Sequence, residues 1–224
     1  MQSSLKAVIF DMDGVLINSE PLWRRAMIKG FTGLGLDFTE DDCRKTMGNR
    51  FPEVVAYWLD FYKLSDVKAS DVEETVMNEL YALIEAEGKF IEGIPAILDF
   101  CSAKKLKTGL ATSSSNQLMN QVLKKLNLHG SLDAVVSAEH MKYGKPHPEV
   151  FLHCAEQLNM HPGQCLVIED SLNGVISAKA AQMKVIAVPD EEHRTIAKFA
   201  LADYNLNSMH QVLDVFKTLW PDSK

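Results

Sequence analysis

The stretch "AVIFDMDG", residues 7–14, places four apolar residues directly before two aspartates, Asp11 and Asp13. An apolar run of this length predicts a short buried strand. Two carboxylates at its end repel one another and resist desolvation, so the arrangement is favourable only where a cation joins them. Taken alone, the pattern is also typical of an exposed acidic turn.

The composition is that of an ordinary globular protein. The chain has 224 residues, of which 46% are hydrophobic and 24% charged, which excludes disordered and fibrous classes and allows one large domain or two modest ones. The formal net charge of −7 disfavours nucleic acids and anionic membranes as partners. No apolar run approaches the roughly 18 residues of a membrane span.

The N-terminal residues and the cysteines predict the cellular compartment of the protein. The first residues, "MQSSLK", lead directly into the predicted strand, so we expect no signal peptide. The four cysteines form no CxxC pair and lie mostly in apolar patterns, which predicts buried free thiols in a reducing cytosol. We therefore expect a cytoplasmic protein, with a monomer as the default. The cysteines are Cys43, Cys101, Cys154 and Cys165.

The chain divides into two kinds of sequence pattern. After residue 91, short apolar runs alternate with segments of helical periodicity, which predicts an α/β fold with a Rossmann-like, doubly wound parallel sheet. Residues 19–91 show helical periodicity throughout, so we predict a helical bundle cap inserted into a core of residues 1–18 and 92–224. The predicted later strands are 106–113, 132–139, 164–170 and 184–189.

Polar side chains follow three of the predicted strands. Asp11 and Asp13 follow the first, Thr112–Ser115 follow "GLA", and Glu169 and Asp170 follow "LVI". The carboxyl ends of parallel strands meet at one edge, where open α/β sheets bind ligands. If the first strand persists to Asp13, the two aspartates also point the same way.

This set of residues predicts a phosphate site with a metal ion. Crowded carboxylates form a hard oxygen ligand set that suits Mg²⁺. Gly14 removes bulk where an anion would approach, and the helix beginning at Asn116 offers its N-terminus to an anion. Lys145, aimed by the flanking prolines, is the predicted local cation. Singly, the hydroxyls and Asp170 could be helix caps and Lys145 a solvated side chain.

Four motifs together resemble the haloacid-dehalogenase superfamily of phosphotransferases, over essentially the whole chain. The subgroup it is similar to is the β-phosphoglucomutase-like one, in which a helical cap follows the first motif. The helical pattern of residues 19–91 agrees with that insertion. The motifs are DMDGVLINSE (11–20), ATSSSN (111–116), GKPHPEVF (144–151) and IEDSLNGVISAKAA (168–181).

The resemblance implies a role for each residue. Asp11 would attack phosphorus and become an aspartyl phosphate, while Asp13 would act as general acid and base. Mg²⁺ would be held by the Asp11 carboxylate, the Asp13 backbone carbonyl and Asp170, with Glu169 outside the ligand shell. The phosphoryl group would be bound by Thr112, the backbone around Ser113, and Lys145.

The cap predicts the substrate class. Trp23 stands where the mutase carries a His, and a Trp does no acid–base work. "SEPLW" instead resembles the sugar-phosphate and sugar-alcohol-phosphate phosphatases of the subgroup, among them the hexitol and 2-deoxyglucose-6-phosphate phosphatases; packing inside the cap is the other interpretation of Trp23. In "MGNRFPEV", Gly48 would give a loop flexibility, and Asn49 and Arg50 would face the site. Arg50 could pair with a second anionic or hydroxyl-rich part of the substrate, or be solvated.

These observations predict a Mg²⁺-dependent phosphatase of small sugar or sugar-alcohol phosphates. The alternatives are a phosphomutase of the same fold, which Trp23 disfavours, and a non-catalytic binding or regulatory protein. Asn18 departs from the subgroup's usual Asp at the hinge into the cap, and we interpret it as a helix cap.

Overall fold

The sheet is the frame of the molecule. A computed structural model describes residues 5–46, 49–191 and 194–221. Within them the strands are β1 (Ala7–Phe10), β2 (Lys107–Thr112), β3 (Ala134–Ser137), β4 (Cys165–Glu169), β5 (Lys184–Ala187) and β6 (Tyr204–Asn205). They pair in parallel in the order β3-β2-β1-β4-β5-β6. The prediction of a parallel α/β sheet is confirmed.

Nine α-helices accompany the sheet in the described residues, and the first four of them follow its first strand directly. In the described ranges they are α1 (Glu20–Thr32), α2 (Glu40–Lys45), α3 (Phe51–Phe61), α4 (Ala69–Glu87), α5 (Ile94–Ala103), α6 (Asn116–Lys125), α7 (Glu149–Gln157), α8 (Leu172–Ala180) and α9 (Met209–Leu219). None of these helices is long and apolar enough to cross a bilayer. Helices α1–α4 all lie between β1 and β2, and we propose that residues 19–91 form the cap predicted from the sequence.

Both faces of the sheet are buried. Along β1, Val8 and Phe10 pack into one apolar cluster, while Ala7 and Ile9 pack into another on the opposite face. Alternation of side chains along a strand produces this division, and a sheet buried on both faces needs continuous apolar strands. The four cysteines are buried free thiols, as the sequence predicts.

The helices of the proposed cap have an apolar interior of their own. Trp58 of α3 is fully buried, and Phe38 meets it edge to face with ring centroids 5.1 Å apart. Gly30 of α1 lies so close to α4 that a methyl group there would be 2.3 Å from Val76 Cγ2. This close approach fixes α1 against α4, and α1 carries Trp23 toward the sheet.

The strand order places a crevice at the centre of the sheet. β1 pairs with β2 on one side and β4 on the other, so the direction in which strands are added reverses at β1. A crevice forms beyond the carboxyl ends of strands at such a reversal. The residues that follow β1, β2 and β4 therefore surround one space.

A glycine in the sheet tests how closely α7 packs. A methyl group at Gly109 of β2 would lie 2.6 Å from Cys154 Sγ. We expect Gly109→Ala to lower the free energy of unfolding by about 1–3 kcal/mol because the interface has no room for it. Cys154→Ala removes the sulfur, so the double variant should be more stable than the summed single effects predict. Urea titration of the four proteins measures this, and strict additivity would contradict the contact.

Candidate active site

A buried lysine joins the ends of β1 and β4. Lys145 Nζ donates to Asp11 Oδ1 at 2.6 Å, to Glu169 Oε1 at 2.6 Å and to the Ala111 carbonyl at 3.3 Å. Lys145 and Glu169 are 4% and 0% exposed. Burial alone would lower the pKa of Lys145, but the two carboxylates raise it above its ordinary value, so the ammonium stays charged.

Glu169 is held from every side. Its Oε2 atom accepts from the Asp170 N–H at 2.9 Å, the Ser171 N–H at 2.9 Å and the Ser171 hydroxyl at 3.0 Å. A methyl group at Gly174 would lie 1.7 Å from Oε1, so only glycine leaves space for this carboxylate under α8. With these donors engaged, Glu169 orients its neighbours and has little capacity left for a metal ion.

Three buried carboxylates fit a divalent cation. Oxygen atoms of Asp11, Glu169 and Asp170 lie within 4.8 Å of one another. Burial raises the pKa of Asp11 to about 8 against the attraction of Lys145, and burial together with Glu169 raises the pKa of Asp170. When all three carboxylates are ionised, one ammonium leaves two negative charges, and this oxygen-only set suits a hard dication that would favour the ionised forms. Asp11 and Asp170 are the residues placed to hold it.

Gly14 serves Asp170 rather than an anion. Its φ is +74°, and a methyl group there would be 1.9 Å from Asp170 Oδ2. Its N–H donates to the Ile17 carbonyl at 3.0 Å. The space that we predicted for an approaching anion is therefore filled by the Asp170 carboxylate.

Asp13 is held by three donors. Ser19 Oγ donates to its Oδ1 at 2.6 Å, Trp23 Nε1 to the same oxygen at 3.0 Å, and Ser114 Oγ to Oδ2 at 2.7 Å. The first strand ends at Phe10, so the condition that it persists to Asp13 is not met. Asp11 and Asp13 still line one cavity, but separate groups fix their carboxylates.

The hinge differs from the prediction. Asn18 is exposed, and the N-cap of α1 is Ser19, whose hydroxyl is used on Asp13 and makes no capping bond. The interpretation of Asn18 as the cap is therefore wrong. A hydroxyl drawn away from the helix terminus is a local cost that the bond to Asp13 offsets.

The hydroxyl run after β2 begins α6. Ser115 is the N-cap and accepts from the Leu118 N–H, while Thr112 Oγ1 accepts from the Ser114 N–H at 3.0 Å. The capping interpretation is confirmed for Ser115. Thr112, Ser113, Ser114 and Ser115 all line the cavity, and phosphate binding there stays a prediction.

The predicted cap residues also reach the cavity. The Trp23 ring packs on Phe51 with centroids 5.2 Å apart, so it forms a wall as well as bonding Asp13. Asn49 Oδ1 accepts from Asn173 Nδ2 at 2.9 Å. Arg50 donates hydrogen bonds to the Glu53 carboxylate and to the Met141 carbonyl. Gly48 lies outside the described residues. All three predicted cap residues line a cavity of about 490 Å³ that also contains Asp11, Asp13, Thr112, Ser113, Lys145 and Asp170.

Sequence reasoning missed several residues of the cavity. Ser19 and Ser114, which hold Asp13, belong to motifs that we quoted but carried no distinct signal. Glu20, which also lines the cavity, is another missed residue. Burial and the nearby Asp13 raise the pKa of its carboxyl group to about 7. Glu53 had a recognisable signal, since Arg and Glu three residues apart at the start of a helix can form an ion pair. The other missed acidic residues are Glu73 and Glu139.

Comparison with known proteins agrees with this geometry. The family model described as haloacid dehalogenase-like hydrolase matches residues 8–188. The chain belongs to this family. The prediction of the family, and with it that of an enzyme of the hydrolase class, is confirmed.

Relatives of this haloacid dehalogenase-like hydrolase include two curated phosphatases. Hexitol phosphatase B of Escherichia coli (strain K12) is 38% identical over 207 residues, which cover 92% of this chain and 93% of the relative. A phosphorylated carbohydrates phosphatase of Thermotoga maritima is 34% identical over 182 residues, covering 81% and 84%. The crystal structure of a β-phosphoglucomutase from Clostridium difficile has a TM-score of 0.84 and 25% identity, covering 96% of each chain. The predicted subgroup is thereby confirmed.

The family and the geometry leave some predictions open. The roles of the site residues, the Mg²⁺ ion, the monomeric state and the cytoplasmic location remain predictions. The divalent-cation requirement is supported by the buried acidic cluster.

The bonds of this hydrolase's Glu169 predict a large effect of neutralising it. Glu169→Gln places an amide nitrogen against donors that now meet an oxygen, so we expect the free energy of unfolding to fall by about 3–5 kcal/mol. Asp133→Asn is the matched control, since Asp133 pairs with Lys107 but is 34% exposed; we expect about 1 kcal/mol or less there. Urea titration measures both, and equal losses would contradict a special role for the buried pair.

Proposed function

We propose that this protein is a Mg²⁺-dependent phosphatase that hydrolyses small sugar or sugar-alcohol phosphates through an aspartyl phosphate. The observation that carries the proposal is the buried cluster of Asp11, Lys145 and Asp170 at the mouth of the sheet. Asp13 and the start of α6 border the same cavity. A nucleophile, a fixed positive charge, a dication site and a second carboxylate are the parts that phosphoryl transfer requires.

In the first step Asp11 attacks phosphorus. Lys145 binds Asp11 Oδ1, which fixes the carboxylate and places positive charge beside the phosphoryl oxygens. Mg²⁺, held by the Asp11 and Asp170 carboxylates and the Asp13 carbonyl, would supply further charge neutralisation. As the bond to the sugar oxygen breaks, Asp13 gives a proton to that oxygen and the alcohol leaves.

In the second step water restores the enzyme. Asp13, now ionised, accepts a proton from a water molecule that attacks the phosphorus of the aspartyl phosphate. The bond between phosphorus and Asp11 breaks, and inorganic phosphate leaves. Ser19, Trp23 and Ser114 hold Asp13 in a fixed place for both proton transfers.

The substrate class follows from the cavity and the relatives. Trp23 offers an apolar face, and the cavity carries carboxylates and hydroxyls that bind sugar hydroxyls. The curated relatives act on hexitol phosphates and phosphorylated carbohydrates, which supports the same class here. The structural similarity to a β-phosphoglucomutase favours the alternative of a phosphomutase. Trp23 disfavours it, because an indole offers no group for proton transfer.

A phosphate-release screen tests the proposal. We expect sugar-alcohol and sugar monophosphates to release phosphate with Mg²⁺ and not with excess chelator. Asp11→Asn should lower turnover by roughly 10⁴-fold or more, as loss of a nucleophile does. Asp99→Asn, the same change at an exposed site on α5, is the control. Activity retained in Asp11→Asn or in chelator contradicts the mechanism. Isomerisation of a hexose 1-phosphate, with a bisphosphate activator and no phosphate release, would instead identify a mutase.

Trp23→Phe isolates the hydrogen bond to Asp13. The phenyl ring keeps the wall against Phe51 but removes the donor, so we expect kcat to fall about tenfold with little change in KM. Trp220→Phe is the matched control, since its indole N–H donates to the Leu5 carbonyl far from the cavity. If Trp23→Phe changes only KM, Trp23 is a wall and does not position Asp13.

A further inference from the structure

The positive side chains of the cavity are all paired. In the described part of the chain its cationic lining residues are Lys145, Arg24 and Arg50. Lys145 is shared by Asp11 and Glu169, and Arg24 pairs with Glu40 at 3.4 Å. Arg50 pairs with Glu53. A substrate that enters therefore meets no guanidinium or ammonium without an ion-pair partner among these three, although Arg24 Nε is buried without a hydrogen-bond acceptor among the described residues.

Arg50 joins the start of α3 to the core. Its Nε donates to Glu53 Oε1 at 2.8 Å, and Nη2 donates to the same oxygen. Its Nη1 donates to the Met141 carbonyl at 2.8 Å, in the segment between β3 and α7. A methyl group at Gly144 would lie 2.9 Å from Arg50 Nε, so the guanidinium packs directly on the core backbone. Both edges of the guanidinium are thus engaged before any substrate binds.

Glu53 decides the charge at this position. It is 42% exposed and follows Arg50 by three residues on α3, so the pair forms within one helical turn. One full carboxylate against one guanidinium leaves the local charge near zero. Without Glu53, Arg50 would present a free positive charge to the cavity, of the kind that attracts phosphate.

Apolar side chains make up much of the cavity wall, and away from Lys145 most of its charged residues are acidic. Glu20, Glu73 and Glu139 line it in addition to Glu53. Carboxylates accept hydrogen bonds from hydroxyl groups and repel a second phosphate. The part of the substrate that points away from the reacting phosphate therefore meets an environment suited to hydroxyls.

We propose that Glu53 is a specificity-determining residue, which neutralises Arg50 so that the cavity accepts monophosphates with an uncharged, hydroxyl-bearing remainder and rejects bisphosphates. The proposal rests on the proposed phosphatase function. It also separates this protein from a phosphomutase. Transfer of a phosphoryl group between two hydroxyls of one sugar through an enzyme phosphate passes through a sugar bisphosphate, which a mutase must bind in either orientation.

Kinetics with a matched substrate pair tests the proposal. Glucitol 6-phosphate and glucitol 1,6-bisphosphate differ only in the second phosphate. For the wild-type protein we expect kcat/KM to favour the monophosphate by at least about tenfold. Glu53→Gln keeps an oxygen for the Arg50 N–H but removes the charge. It should reduce this preference about three- to tenfold, through a lower KM for the bisphosphate.

Two further variants separate charge from structure. Asp60→Asn, also on α3, breaks an exposed pair with Lys63 outside the cavity and should leave the preference unchanged. Arg50→Gln in the Glu53→Gln background should abolish the gain for the bisphosphate, because that gain depends on the freed guanidinium. The decrease in KM for the bisphosphate that Glu53→Gln causes should also become smaller as salt is added, because salt screens the charge of Arg50.

The outcomes distinguish the two levels of the proposal. No phosphate release from any monophosphate by the wild-type protein overturns the proposed function. Monophosphate hydrolysis with equal use of the bisphosphate overturns the specificity role. So does an unchanged preference in Glu53→Gln, or a gain that persists when Arg50 is also replaced. A melting temperature for each variant within a few degrees of the wild type shows that folding does not account for the result.

Discussion

The shared ammonium of Lys145 is the interaction on which the site depends. It sits between Asp11 after β1 and Glu169 at the end of β4, and it reaches the Ala111 carbonyl of β2. A buried charge persists only when its partners are fixed, since removal of one partner leaves an uncompensated charge in a medium of low dielectric. Three neighbouring strands therefore have to end in register at this point. The same requirement brings the carboxylates close enough together to form an oxygen ligand set that suits a dication.

Two glycines show how sterics carry that requirement further along the chain. Gly14 leaves space for the Asp170 carboxylate, and Gly174 leaves space for Glu169. Each glycine lies in a motif with polar site residues, and a methyl group at either position would overlap a carboxylate. The motifs therefore specify empty space as well as reactive groups.

The sequence was sufficient for the parts that repeat a regular pattern. Apolar runs predicted five strands, and polar residues at their ends predicted which side chains meet. β6, with two residues, is too short to leave a periodic signal. The partners of Asp13 could not be found in the same way, because Ser19 and Ser114 approach it from segments 95 residues apart, and only the packed fold joins them. Asn18 lies one residue before the N-cap of α1, and the sequence there carries no sign that Ser19 takes that position and bonds Asp13 instead.

The division of labour along the chain has an evolutionary consequence. The buried cluster of Asp11, Lys145, Glu169 and Asp170 lies wholly outside residues 19–91. Many of the other residues that line the cavity lie within that segment, and some of them, such as Glu53, are held by half-exposed contacts. Substitutions at such positions change the cavity wall without exposing a buried charge. A lineage built on this architecture can thus vary the cavity walls on helices α1–α4, Trp23 excepted because it bonds Asp13, while the buried charges at the strand ends stay in place.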